Sequence, residues 1–201
     1  PTSRCEYVVR EPISIEDVCV ALDNLKKKAE LQGTVWKFSF RTSFHVHVNV
    51  SDLDVEQVKN IVYTYRLLEG TLALHCDEER HNNRFCLRAF DCDEVEKVTA
   101  MIMKSDNFNN TVNYVADSDM RYGALNLCAL KKYGSLEFRM KEGTDNFNDL
   151  ILWVNLLNNL VSYAINMGSV KEIASDLADL TPKEFVTKVL KIATKFDERS
   201  F

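Results

Sequence analysis

The sequence predicts an α+β protein in which an antiparallel β-sheet has helices packed on one face and a helical segment follows at the C-terminus. Three observations support this fold class. Short segments in which apolar and polar residues alternate indicate half-buried strands. Longer segments with apolar residues at helical spacing indicate amphipathic helices. The strands are connected as hairpins, and the sequence contains no glycine-rich loop of the kind that precedes a nucleotide-binding helix.

Two alternating segments, residues 44–50 and 136–140, carry the most distinctive chemistry. Side chains two positions apart on a strand project from the same face. Every second position of both segments is apolar, so the positions between them form one polar row on each strand. The two polar rows consist of His45, His47, Asn49, Glu137, Arg139 and Lys141.

The polar rows predict a divalent-metal site. Two imidazoles and a carboxylate that face one cleft are suitable metal ligands, and an arginine beside a metal commonly binds phosphate or carboxylate. A half-buried sheet face is normally apolar, because unpaired charge is costly there. His45, His47, Glu137 and Arg139 therefore favour a functional site over a solvated strand surface.

Before the histidine strand, we expect a strand at residues 4–9 that carries Glu6, a helix from Ser14 to about Leu31 and a short strand at residues 36–40. A serine followed three positions later by an acidic residue is a helix-start pattern. A globular enzyme rarely begins within a sheet, so we expect a further segment to precede the first strand.

The predicted elements that follow include two helices before a hairpin and two helices after it. They are, in order, a helix at residues 54–74, a polar segment at 75–88, a helix at 93–104, an Asn-rich loop at 105–113, a strand at 124–130 that turns at 131–134 into the Glu137 strand, a helix at 148–167 and a last helix from the capping box at 181–184 to about Phe196.

The polar segment at residues 75–88 has two interpretations. Such a density of polar residues is typical of a solvated loop, but closely spaced arginines can also form an anion site in a substrate or nucleotide loop. The arginines are Arg80, Arg84 and Arg88. A zinc site made from the histidines and cysteines of this segment is not favoured, because their intervals match no common zinc-finger spacing.

Composition restricts the setting and the partners. The net charge of −5 leaves no overall basic surface, so we expect no nucleic-acid partner. The six cysteines have no C-x-x-C spacing, which favours free thiols in a reducing cytoplasm. No apolar run reaches the ~18 residues of a spanning helix, so we expect no membrane partner either.

Four segments, in consistent order, carry a family resemblance. They are SFHVHVNV at residues 43–50, ERHNNRFC at 79–86, RYGALN at 121–126 and YGSLEFR at 133–139, with Gly143-Thr144 after the last. Together they resemble the amidoligase family of bacteria and their phages, in the superfamily of glutamine synthetase and glutamate–cysteine ligase. The resemblance covers about residues 4–165.

The resemblance implies a glutamine synthetase-like catalytic domain at residues 1–167, incomplete at its N-terminus, and a C-terminal helical appendage at 168–201. It implies ATP-dependent joining of a carboxylate substrate to an amine substrate through an acyl phosphate, with Mg²⁺ holding the phosphates. The location would be cytoplasmic, in the bacterial host if a phage encodes the protein. Family members carry a preceding strand with a Glu-x-Glu pair; none precedes Arg4, so we expect either a longer natural chain or a site that has lost ligands.

The resemblance also implies roles for individual residues. The metal ligands would come from Glu6, His45, His47 and Glu137, the catalytic arginines would be Arg139 and Arg121, and the nucleotide would contact Arg80, Asn83, Arg88, Asn126 and His45. The glutamine synthetase pattern favours His45 as the metal-bound histidine and the glutamate–cysteine ligase pattern favours His47; we prefer His47.

Two other functions remain open at this stage. A transition-metal enzyme could use His45, His47 and Glu137 as a facial triad, and oxygen consumption without ATP turnover would identify it. A non-catalytic structural or binding protein could retain the fold, and calorimetry would then show no binding of Mg-ATP.

Overall fold

The computed structural model describes residues 7–9, 11–105, 109, 112–113, 115 and 120–191. It has the predicted α+β architecture, with a three-stranded antiparallel sheet in the order β1-β3-β2. The strands are β1 (Val46–Asn49), β2 (Leu125–Asn126) and β3 (Ser135–Phe138). The α-helices with assigned bounds are α1 (Ile15–Leu31), α2 (Val55–Ala73), α3 (Glu78–His81), α4 (Asp93–Lys104), α5 (Ala129–Tyr133), α6 (Phe147–Ile165), α7 (Val170–Ala178) and α8 (Pro182–Leu190). Short 3-10 turns occur at Ala89–Asp91 and Met120–Tyr122.

The long helices begin where the sequence predicts. The side chain of Ser14 accepts a hydrogen bond from the Asp17 N–H at the start of α1, and α2 begins directly after Asp54. Thr181 and Glu184 form a reciprocal capping box at the start of α8. Such caps satisfy backbone N–H groups that the first helical turn leaves unpaired.

The apolar face of the sheet lies in the main core with α2 and α6. Leu136, Phe138 and Met140 are at most 1% exposed, and the Tyr65 ring of α2 meets the Phe138 ring edge-on at 5.4 Å. Val46 of β1 packs against the same core. Because side chains alternate along a strand, the polar row lies on the opposite face of the sheet, away from these helices.

Two strands predicted near the N-terminus are wrong where the structure describes them. Residues 7–9 belong to no strand and their side chains are exposed, while residues 4–6, including Glu6, lie outside the described residues. Residues 36–40 also form no strand; the Thr42 N–H donates to the Ser39 carbonyl at 2.8 Å and closes a turn there. Alternation predicts a strand only where a partner strand is available.

The strand predicted at residues 124–130 is shorter than expected. The Asn126 side chain accepts a hydrogen bond from the Cys128 N–H at 2.9 Å, and this local turn ends β2. Helix α5 then replaces the predicted tight turn and ends at Gly134, whose φ is +60°. A Cβ at Gly134 would collide with the Ser51 side chain, so both the backbone conformation and the space require glycine.

The C-terminal segment contains two described helices, α7 and α8. Phe185, Val186, Val189 and Leu190 of α8 are at most 1% exposed and belong to the same core as the sheet. Helix α8 ends at Leu190, earlier than the predicted end near residue 196, and Lys191 after it has left-handed backbone angles. Most of the Asn-rich segment at 105–113 lies outside the described residues; its described residues 109, 112 and 113 are helical, whereas a loop was predicted. In the described part of the chain, no single helix has the length and apolar composition to cross a membrane. Helices α6 and α7 have that length and composition only when they are taken together, and the pair is bent by 107°.

Candidate functional site

Side chains from all three strands converge on the Glu137 carboxylate. Glu137 lies on the central strand, opposite His47 of β1 and opposite Asn126 of β2. This register follows from the alternation of each strand, because a shift of one residue would place the polar row in the core. The carboxylate is therefore reached from both neighbouring strands.

The contacts of the two carboxylate oxygens differ. Glu137 Oε1 lies 2.6 Å from Arg139 Nη1, 3.1 Å from His45 Nδ1 and 3.6 Å from His47 Nε2. Glu137 Oε2 accepts a hydrogen bond of 2.5 Å from Asn126 Nδ2. We call these five residues the Glu137 cluster. The structure thus brings together three of the four predicted metal ligands, one predicted catalytic arginine and Asn126.

The Glu137 cluster keeps its carboxylate ionised. Burial alone would raise the pKa of Glu137, but hydrogen bonds from the two histidines and Asn126, together with the Arg139 guanidinium, hold that pKa well below its ordinary value. At neutral pH the group is therefore a carboxylate, which is the form that can bind a metal ion.

The two histidines differ in availability. Both ring nitrogens of His45 are engaged, since Nε2 lies 2.7 Å from Ser43 Oγ and Nδ1 faces Glu137. His47 Nδ1 lies 3.0 Å from Ser135 Oγ, which fixes its ring, while its Nε2 makes only the longer contact to Glu137. The His47 side chain is 42% exposed, against 27% for His45. His47 Nε2 is therefore the nitrogen more open to a ligand.

The described residues alone do not make a complete metal site. No group of three or more His, Cys, Asp or Glu side chains within them could hold a metal ion. Glu6 lies outside this part of the chain, so its predicted role as a ligand is not tested. The Glu137 carboxylate is a suitable ligand for Mg²⁺, which takes oxygen ligands, commonly few of them from the protein, and completes its shell with phosphate oxygens and water.

Arg80 and Asn83 do not join the cluster. Arg80 is 1% exposed and donates from Nε to the Met140 carbonyl and from Nη2 to the Arg139 carbonyl. A third hydrogen bond, from Nη1, reaches the Phe40 carbonyl, which also accepts from Asn83 Nδ2. These contacts fix the segment at residues 75–88 against the chain after β3. Both side chains thus have structural contacts, and their predicted contact with a nucleotide stays a prediction.

The other arginines have different surroundings. Arg88 forms an ion pair with Asp91 at 2.6 Å. Arg121 donates to the Tyr122 hydroxyl at 2.8 Å, and the Cζ atoms of Arg121 and Arg139 lie 4.8 Å and 5.9 Å from the Tyr122 ring centroid. Arg121 and Arg139 thus both lie beside the Tyr122 ring.

Lys141 does not belong to the polar row as predicted. It is 2% exposed, and its Nζ lies 2.7 Å from Glu142 and 2.7 Å from Asp149 of α6. The strand has ended before this position, so alternation no longer determines the direction of its side chain. In contrast, Ser43 and Ser135 contact the histidines, although neither is among the predicted site residues. Both share the parity of the polar row, and that signal could have identified them.

Comparison with known proteins identifies the family. The family model described as "Putative amidoligase enzyme" matches residues 4–161, which include all three strands. No curated protein matches the chain, and no solved structure matches it. The chain belongs to the amidoligase family, whose name indicates a ligase.

Proposed function

We propose that this protein is an ATP- and Mg²⁺-dependent carboxylate–amine ligase whose reaction takes place at the Glu137 cluster, on a glutamine synthetase-like fold. The observation that carries the proposal is the convergence of a buried carboxylate, two histidines and Arg139 on one sheet face, with Arg139 Nη1 2.6 Å from Glu137 Oε1. The family membership supports a ligase in general terms.

In the proposed reaction, the substrate carboxylate attacks the γ-phosphate of ATP and releases ADP, and an amine then displaces phosphate from the acyl phosphate to form the amide. Glu137 and His47 would hold Mg²⁺, which would neutralise negative charge on the phosphates. Arg139 lies on the same strand face, two residues from Glu137, and is held by three contacts, to Glu137, His45 and the Phe85 carbonyl. Its rigid guanidinium is suited to stabilise charge on the transferred phosphate.

The arrangement of ligands favours this chemistry over a transition-metal enzyme. A facial triad needs three protein ligands with the correct geometry, and the described residues contain no such group. Mg²⁺ bound together with a nucleotide needs fewer protein ligands, because the phosphates contribute oxygens. A purely structural role would not explain why Glu137, which is ionised and only 6% exposed, lies beside the exposed His47.

The experiment that tests the proposal is a hydroxamate assay with ATP, Mg²⁺ and a panel of amino acids and short acidic peptides. Hydroxylamine replaces the amine and traps an acyl phosphate as a coloured hydroxamate. We expect ATP-dependent hydroxamate with at least one carboxylate, and loss of it in Glu137→Gln but not in Glu16→Gln, a matched change on exposed α1. Hydroxamate formation that is equal in Glu137→Gln and the parent would refute the proposed site.

A further inference from the structure

Two contacts in series lead from Ser43 through the His45 ring to the Glu137 carboxylate. Ser43 Oγ lies 2.7 Å from His45 Nε2, and His45 Nδ1 lies 3.1 Å from Glu137 Oε1. We call Ser43 and His45 the serine–histidine pair. Both nitrogens of the His45 ring are thus directed at groups of the protein itself.

The backbone brings the serine–histidine pair together. Ser43 forms an isolated antiparallel bridge with Glu142, and the Phe44 N–H donates to the Lys141 carbonyl at 3.0 Å. The segment just before β1 is therefore paired with the segment just after β3. Because side chains two positions apart in extended backbone point to the same side, Ser43 and His45 lie side by side without the help of a ligand.

The charge of Glu137 determines where the hydrogen of its contact with His45 lies. A carboxylate can only accept hydrogen bonds, so the hydrogen must be on His45 Nδ1. At Nε2 the ring meets the Ser43 hydroxyl, which can both donate and accept. The ring therefore has no lone pair available to a metal ion unless one of these two contacts breaks.

His47 is placed differently. Its Nδ1 lies 3.0 Å from Ser135 Oγ, and its Nε2 is 3.6 Å from Glu137 Oε1, which is longer than a hydrogen bond. The His47 side chain is also the more exposed of the two, at 42% against 27% for His45. The structure thus gives the two histidines of one strand face different surroundings, which suit different tasks.

The Glu137 carboxylate is held from both sides. Oε1 lies close to Arg139 Nη1 and His45 Nδ1, and Oε2 accepts from Asn126. Hydrogen bonds of this kind fix the direction of a metal-binding side chain, and their loss commonly weakens metal binding by about 10- to 100-fold.

We propose that His45 is a positioning residue and not a metal ligand: Ser43 orients its ring, and the ring holds the Glu137 carboxylate in the direction in which it binds Mg²⁺. The inference rests on the proposed function for the identity of the metal ion. The contacts that carry it belong to the protein alone and can be measured without metal or nucleotide.

Two amide substitutions separate the roles of the ring nitrogens. The amide nitrogen of asparagine is as many bonds from Cα as His45 Nδ1, and that of glutamine is as many bonds away as Nε2. His45→Asn can therefore still donate to Glu137, whereas His45→Gln cannot do so from the same place. In calorimetry with Mg-ATP, we expect His45→Asn to retain most of the binding and His45→Gln to weaken it ~10-fold.

Ser43→Ala tests the other end of the pair. It should weaken Mg-ATP binding in the same direction as His45→Gln but by less, because the ring loses only its second contact. Ser175→Ala is the matched control, since Ser175 is exposed on α7, and it should bind like the parent. Circular dichroism checks that each variant is folded.

A second measurement needs no ligand. An imidazole N–H exchanges quickly with water unless a hydrogen bond protects it, so its proton NMR resonance is seen only when the ring is held. In the parent without metal or nucleotide, we expect a downfield resonance that is lost in His45→Asn and kept in Ser175→Ala. Ser43→Ala should broaden this resonance, because the ring becomes freer to move.

Equal loss of Mg-ATP binding in His45→Asn and His45→Gln would overturn the inference, because it would make His45 a metal ligand. A parental resonance together with parental binding in Ser43→Ala would overturn the role of the serine. If the resonance behaves as expected but the parent binds no Mg-ATP, the contacts of His45 stand and the proposed function fails. If the parent binds Mg-ATP but shows no such resonance, the proposed function stands and the inference fails.

Discussion

At the scale of single residues, Arg139 is the position on which phosphate chemistry should depend most. Its side chain is 14% exposed and is fixed by Glu137, His45 and the Phe85 carbonyl. Lysine at this position keeps the charge but loses the planar fork that can donate to two oxygens at once. We expect Arg139→Lys to lower ATP-dependent hydroxamate formation ~100-fold, as when one pre-organised donor is removed.

Arg66→Lys is the matched control, because Arg66 lies on α2 and pairs with Glu96 outside the site. It should keep the parental rate. A parental rate in Arg139→Lys would show that the phosphate is bound elsewhere.

Glu69 makes stability depend on pH. Burial raises its pKa to about 7 from an ordinary value of 4.5, despite Arg66 and the N–H of Ala89. A raised carboxyl pKa means that the folded state binds the proton more tightly, so the contribution of Glu69 to stability is largest below pH 4.5 and is lost as the pH rises to about 7. Ionisation of the buried carboxyl then lowers the free energy of unfolding at pH 8 by an amount on the order of 3 kcal/mol.

We therefore expect Glu69→Gln to raise the free energy of unfolding at pH 8, and to change it much less at pH 5, in urea titrations. Glu96→Gln, an exposed partner of the same Arg66, should change it by less than about 1 kcal/mol at either pH. An equal effect of Glu69→Gln at both pH values would contradict the assignment.

The sequence predicted correctly which side chains share a sheet face where that depends only on the alternation of side chains along a strand. His45, His47 and Glu137 share a face because each lies within a regular strand or directly before one. Arg80 donates to carbonyls 59 and 60 positions away, and Lys141 donates to the His75 carbonyl, 66 positions away, besides its ion pairs with Glu142 and Asp149. No local pattern contains that information, so these two residues could not be assigned.

At the scale of elements, Arg80 holds α3 and the loop after it against the chain that follows β3. Removing the side chain takes a hydrogen bond from three backbone carbonyls; that of Phe40 keeps its bond from Asn83, whereas those of Arg139 and Met140 lose the bonds that Arg80 gives them. Unpaired buried polar groups cost about 1–3 kcal/mol each. We expect Arg80→Met to lower the free energy of unfolding by about 3 kcal/mol or more, measured by urea denaturation.

Arg84→Met provides the control for this loop, because Arg84 is exposed and makes no hydrogen bond to a backbone carbonyl within the described residues. It should change stability by no more than about 0.5 kcal/mol. A similar small effect of Arg80→Met would mean that the loop does not depend on these bonds.

Element boundaries could be predicted where the side chains that set them are close in sequence. Ser14 and Thr181 mark helix starts through contacts three residues away. Strand β2 ends early because the Asn126 amide serves two partners, Glu137 and the Cys128 N–H. The sequence showed the apolar alternation around Asn126 but not this second hydrogen bond, so the strand was predicted too long.

At the scale of the whole molecule, α8 belongs to the core that supports the sheet. Phe185 is fully buried and its ring meets that of Tyr163 on α6 at 5.9 Å. We expect Phe185→Ala to lower the free energy of unfolding by about 3–5 kcal/mol, whereas Lys183→Ala, on the exposed side of the same helix, should have little effect. Thermal unfolding followed by circular dichroism would show both. A small effect at Phe185 would mean that residues 168–191 fold apart from the rest.

The central claim is that the Glu137 cluster binds Mg-ATP, and calorimetry tests it most directly because no second substrate is needed. The account predicts that the parent chain binds ATP in the presence of Mg²⁺, and that Glu137→Gln weakens this binding at least ~10-fold. Glu16→Gln should bind like the parent. No binding of Mg-ATP by the folded parent, or equal binding by Glu137→Gln, would contradict the account.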